Sequence, residues 1–351
     1  MRRLALAPAA ASGMLAATIV LASCSSGGGG PAMAPSASPV NERIAFDRMR
    51  GATSYEGSYL GTIIANADGT GQQPLHLPKR WSGPVSPVWS PDGRRLVVSV
   101  RGESPGLGLP GPGRAAIVAP DGSGFRVLTP GKLDADMACS AWSPDGSKLL
   151  CSVDSNHYKL EGIYRINVDS TGLTRLTHSP FHDTQGPAGE CGGGDSQADY
   201  SPDGSQFVFM RRRCGTGADP STDEAGALYV ENTDGTGLRR ITAYGEADSH
   251  PGGNVRWSPD GSEILFESQD HQLRLVHPDG SARTEISLPS GSPDSPAWSP
   301  DGRWIVFSLA LPQSAGVAHL YRARPDGTQL AKVTNTPNSD FLVSWGRPPV
   351  R

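Results

Sequence analysis

Five aspartates in this 351-residue chain, Asp136, Asp195, Asp248, Asp294 and Asp340, stand four to nine residues ahead of a Trp or Tyr. Carboxylates gathered in one place would attract a cation or a cationic ligand. Aspartate where a loop becomes a strand also caps backbone N–H groups, and the uneven spacing favours that use. His178, His182, Asp183 and His250 add the donor types of a divalent-cation site, without a fixed ligand spacing such as H-E-x-x-H. The candidate binding positions are therefore Asp136, Asp195, Asp248, His250, Asp294 and Asp340, with His182 and Arg212 beside them. No resident cofactor is expected, and a divalent cation is the only metal these residues suggest.

The N-terminus sets the compartment. Met1, Arg2 and Arg3 are followed by an apolar run, 4–20, interrupted by Pro8 and Gly13, which reads as an export signal rather than a membrane span. The stretch "LASC", Leu21 to Cys24, resembles the lipobox of bacterial lipoproteins. That resemblance implies cleavage before Cys24 and a lipid anchor on its sulfur, outside the cytoplasm at the cell membrane. An ordinary secretory signal is the alternative. The expected organisation is a signal peptide over 1–23, a Gly/Ser/Pro-rich tether over 24–41 and one folded domain over 42–351.

Composition points to short strands and turns. Gly (44) and Pro (31) are abundant, charged residues make up only 19%, and no helical periodicity is sustained after the N-terminus. The net charge of −4, with only Arg211, Arg212 and Arg213 as a basic run, gives no nucleic-acid footprint.

The turns repeat. "WSPDG" or a close variant places an Asp at 92, 145, 203, 260 and 301, and a second pattern such as "NADGTG" or "NTDGTG" recurs six times between them. In Pro144, Asp145 and Gly146 the Pro presets φ, the Asp suits the second turn position and the Gly accepts φ above zero. This predicts a three-residue hairpin loop, a type I turn with a bulge. Leu96, Leu149, Phe207, Ile264 and Ile305, and two residues later Val98, Cys151, Phe209, Phe266 and Phe307, mark one face of the following strand. That face is expected to pack on the next unit, helped by Trp89, Trp142, Tyr200, Trp257 and Trp298. The "NADGTG" corners lack the Glu of a calcium loop and read as hairpins.

The first pattern occurs five times, the second six. Residues 42–49 look like the strand that follows SPDG, and residues 341–347 like the strand that precedes it. The expected fold is all-β: a six-bladed propeller of four antiparallel strands per blade, closed by pairing the first strand with the last. The repeat resembles the WD-like Pro-Asp repeat of TolB-type β-propellers, common in bacterial envelope proteins, over about residues 42–347. It departs from TolB in the short linker between Cys24 and the first strand.

Four cysteines remain in an exported chain, which suggests two disulfides in one of three connectivities. Pairing Ser143 with Ser147 across the turn puts Cys139 opposite Cys151, and Cys191 and Cys214 fall one residue off register in the fourth blade. Cys139–Cys151 and Cys191–Cys214 are the expected bridges; a buried thiol also fits Cys151, whose repeat positions are apolar.

In such a propeller the repeating corners share one end, and the irregular loops, 101–114, 178–197, 211–226 and 309–319, share the other. Long loops on a rigid scaffold are where binding is usually placed. His250, in "DSHPGG", resembles the His-Pro ahead of the repeat in some metal-dependent polysaccharide lyases of this architecture. No G-x-S-x-G elbow or nucleotide-binding glycine fingerprint is present. The reading is a monomeric, lipid-anchored binding or scaffold module for an envelope protein or glycan, with a metal-dependent polysaccharide lyase or hydrolase as the alternative.

Overall fold

The computed structural model describes residues 42–51, 59–103, 110–128, 135–154, 161–180, 194–213, 225–247 and 254–347. Six four-stranded antiparallel sheets account for these residues. In the first blade the inner strand is Ser339–Gly346, paired to Arg43–Met49, then Tyr59–Asn66 and a two-residue outer strand. The register runs from Arg43 opposite Gly346 to Met49 opposite Ser339, so the two ends of the described chain build one blade. The other inner strands are Trp81–Trp89, Asp136–Trp142, Asp195–Tyr200, Val255–Trp257 and Ser292–Trp298, opening blades 2 to 6.

Six clusters of buried residues form the core, one at each junction between adjacent blades. The apolar face read from the sequence packs on the preceding blade, not the next. Cys151 and Leu149 of blade 3 meet Ala115 and Ile117 of blade 2, and Phe207 and Phe209 of blade 4 meet Leu150 and Ile163 of blade 3. The alternate residues, Val97, Leu150, Val208, Leu265 and Val306, face the following blade and are equally buried, so both faces of each strand are core. One cluster joins Val306 and Leu320 of blade 6 to Ile44 and Phe46 of blade 1.

The aromatic before each corner is 6–8% exposed at Trp89, Trp142, Tyr200, Trp257, Trp298 and the sixth copy, Trp345. Burying such a ring removes about 150–250 Å² from water, about 4–6 kcal/mol at 25 cal/mol/Å². A corner hydrogen bond nets about 1 kcal/mol, so the aromatic holds the blades together and the corner sets its direction.

Each corner is a closed polar unit, but its loop has four residues rather than three. The Ser143 amide donates to the Lys148 carbonyl, and Lys148 N–H returns to Ser143 Oγ at 2.9 Å. Ser147 is the added residue; its amide donates to Asp145 Oδ1 at 3.0 Å, an extra stop that lets the turn widen. Ser143 therefore pairs with Lys148 and not Ser147. A bulge at Ser140 then takes up one residue, which restores Cys139 to its place opposite Cys151. The two sulfurs are bonded. Ser143 and Ser147 hold the Asp145 carboxylate down at about 2.

The corners also interlock. Gly204 has φ +71°, and a Cβ there would sit 3.3 Å from Cδ of Pro144 in the preceding blade. At Gly146, Gly261 and Gly302 a Cβ would stand 3.8, 3.7 and 3.6 Å from Pro91, Pro202 and Pro259, which is ordinary contact. Glycine is needed at each for its positive φ, and only at Gly204 would a methyl also press on the neighbour's ring. The "NADGTG" corners are self-contained as well: Asn66 Nδ2 donates to Thr70 Oγ1, and Thr70 N–H and O–H both donate to Asp68.

Candidate binding face

The opposite end carries the aspartates expected ahead of each inner strand, with charged partners that do not repeat. Two of the expected aspartates are neutralised there by the neighbouring strand. Asp195 is paired in register with Arg211, whose Nε and Nη2 donate to its two oxygens at 2.6 and 2.8 Å, with both side chains buried. Arg211 lies 4.8 Å from the centre of the Tyr229 ring. Asp340 is paired in register with Arg48 at 2.6 and 3.1 Å, and its side chain is fully buried. A bidentate guanidinium occupies the oxygens that a free cation would need.

Asp136 reaches a backbone N–H of the preceding blade rather than one at its own loop-to-strand entry. It accepts the Gly113 N–H at 2.7 Å and meets Arg101 at 3.3 Å, an exposed pair. Asp294 accepts from Ser295 Oγ at 2.9 Å. His178 is exposed. Asp248, His250, His182, Asp183, Cys191, Cys214 and Cys24 lie outside the described residues. Among the described residues no group of three or more His, Cys, Asp or Glu is placed to hold a metal ion.

Several groups here are not visible in the motifs. Glu161, at the start of a strand in blade 3, is buried with Asp154 as its hydrogen-bond partner. Desolvation and the Asp154 charge push its carboxyl up to about 7, against Arg212 and Arg175, which pull it down. Arg212 thereby joins this cluster; its amide donates to Gly194 O at 2.8 Å, and its Nε is buried with no partner among the described residues.

Toward the corner end, Asp199 and Arg256 are a second unforeseen pair, each immediately before the aromatic of its inner strand. Asp199 Oδ2 accepts the Trp257 N–H at 2.8 Å, and desolvation lifts the carboxyl to about 6 although Arg256 opposes it. The other blades have Ser344, Val88, Ala141 and Ala297 at this point, so two charges in a small-residue column were the available signal.

The third is a cavity of about 320 Å³ in blade 6, lined by Leu309, Leu311, Val317, His319, Tyr321 and Lys332 with loop residues 313–314 and 336–337. Its walls come from one hairpin, 309–321, and the stretch 332–337 that follows it. Among the described residues no helix is long and apolar enough to cross a membrane.

The TolB beta propeller domain family matches residues 129–346. The uncharacterized protein Atu1656 of Agrobacterium fabrum is 28% identical over 278 residues, 65% of this chain and 85% of that protein. The uncharacterized peptidase YuxL of Bacillus subtilis is 27% identical over 139 residues, which are 38% of this chain and only 20% of YuxL. Among solved structures, TolB from Acinetobacter baumannii has a TM-score of 0.60 at 17% identity, over 87% of this chain and 67% of that one. The putative TolB of Agrobacterium tumefaciens has a TM-score of 0.53 at 19% identity, over 87% of this chain and 98% of that one. At such identities the solved structures share the fold and speak for nothing further. The family match covers well over half the chain, which belongs to the TolB beta-propeller family.

Proposed function

We propose that this chain is an exported propeller, anchored through lipid on Cys24, that binds another protein of the bacterial envelope through the end bearing its non-repeating loops. The difference between the two ends carries this reading. At one end every described corner satisfies its own polar groups in the same pattern, which leaves little to recognise. At the other, Arg101, Asp136 and Asp154 form an irregular charged surface, with Arg212 and the buried Glu161 behind it, the kind of complementarity that gives specificity and fast association.

A photo-cross-linking amino acid at position 101, on the loop end of blade 2, tests it in intact cells against the same amino acid at position 123, on the corner end of that blade. The reading expects a protein adduct from position 101 and none from 123. Adducts from 123 alone, or a glycan as the only adduct, would overturn it. The anchor is tested separately, since Cys24→Ser is expected to release the chain from the membrane pellet; retention in the pellet removes the lipid from the proposal and leaves the binding face standing.

A further inference from the structure

The cavity in blade 6 lies at the same end but is a different kind of site from a charged docking surface. Leu309, Leu311, Val317 and Tyr321 give it an apolar body, and at about 320 Å³ it falls at the lower end of the range for small-molecule sites. His319 lines it, is 8% exposed, and has its Nδ1 buried with no partner among the described residues. A buried N–H without an acceptor costs more than a buried lone pair, so the ring proton belongs on Nε2. Burial, with Lys332 and Arg48 nearby, keeps the ring below its ordinary pKa and therefore neutral.

Lys332 lines the same cavity, with Asn335 Oδ1 at 2.8 Å as its hydrogen-bond partner and no carboxylate in ion-pair range among the described residues. The lining includes no acid. Asp340, the nearest carboxylate to influence His319, is already engaged by Arg48.

We infer that this cavity is a binding site for a small amphipathic carboxylate, its aromatic or aliphatic body against Leu309, Leu311 and Tyr321 and its oxygens toward Lys332 and the His319 ring. A charge-assisted hydrogen bond outweighs its neutral counterpart by enough to give about a tenfold preference for the charged head group.

The test uses 3-phenylpropionate and the neutral 3-phenylpropan-1-ol, titrated by calorimetry into the folded chain. The carboxylate should bind about tenfold more tightly than the alcohol. Lys332→Gln should bring the two within about twofold by removing the cation. Val317→Trp, at a half-exposed position on the rim, should abolish binding of both while the melting temperature stays near that of the parent. Equal affinity for the two probes, no binding of either, or binding that survives Val317→Trp would each overturn the assignment.

Discussion

Asp47 of blade 1 reaches into blade 2, where its Oδ2 accepts the backbone N–H of Ser86 at 2.7 Å. Ser86 has φ +55°, and the register of its strand shifts on both sides of Val85, so the aspartate holds a left-handed bulge in the neighbouring inner strand. Thr62 donates to the other oxygen at 2.7 Å and Tyr59 at 3.2 Å. The three donors do not offset the desolvation of the carboxylate, which is pushed up to about 7.

A pH dependence follows from this. The fold favours protonated Asp47, so its contribution is complete below the ordinary aspartate value of 3.8 and is lost as pH rises through about 7. Glu161 and Asp199, raised to about 7 and about 6, act in the same direction. The melting temperature should be higher at about pH 5.5 than at about pH 8, and Asp47→Asn should shrink that difference whatever it does to absolute stability. A difference of unchanged size in the variant would remove Asp47 from the account.

The position of Asp47 shows why part of the fold could not be read. Its counterparts in the other second strands are Ser99, Ser152, Met210, Glu267 and Ser308. Where the counterpart is Asp47, Ser152, Glu267 or Ser308, the next inner strand carries a left-handed residue three before its aromatic: Ser86, Gln197, Ser295 or Leu342. Ser152 and Ser308 bond to that strand directly, at Gln197 N–H and Asp340 O. After Ser99 and Met210 the described inner strands have no such residue, and Ser99 Oγ is buried with no partner among the described residues. Corners and aromatics were legible because glycine, proline and spacing encode them locally, whereas Cys139 came out opposite Cys151 only because the bulge at Ser140 cancelled the fourth loop residue. The left-handed bulges sit on non-glycine residues that face another blade, so no local pattern marks them, and the blade 6 cavity, although its lining falls within 309–321 and 332–337, depends on how those two stretches pack.

Cys139 and Cys151 close a short loop across a strand pair that already exists, so their bridge acts mainly on the unfolded chain. Replacing both with alanine should cost about 2–3 kcal/mol. The loss should appear as a lower denaturation midpoint with the same slope, and a slope change would point to altered native structure instead. Intact-mass measurement with alkylation before and after reduction also tests the expected Cys191–Cys214 bridge. Two free thiols in the native protein would eliminate it.

Asp195 and Arg211 offer a test of what buried ion pairs contribute. Arg211→Met leaves a buried carboxylate without its two donors and should cost about 3–5 kcal/mol. Arg211→Met combined with Asp195→Leu removes both charges and should recover most of that loss. A double variant as unstable as the single one would mean that the pair is needed for more than its mutual neutralisation, for instance to position Tyr229 under the guanidinium.

The corner glycines separate two demands that the repeated motif combines. Gly124 has φ +64° and nothing within 4 Å of where a Cβ would stand, so Gly124→Ala tests the left-handed backbone alone, a cost of about 1–2 kcal/mol. Gly204 has nearly the same φ, +71°, but its Cβ would press on Pro144 of the preceding blade at 3.3 Å. Gly204→Ala should therefore destabilise more than Gly124→Ala in urea denaturation. The excess should vanish in a Pro144→Ala background, where the ring that the methyl meets is gone. If the two glycine variants lose equal stability, the motif recurs for its turn alone and the corners do not brace one another around the propeller.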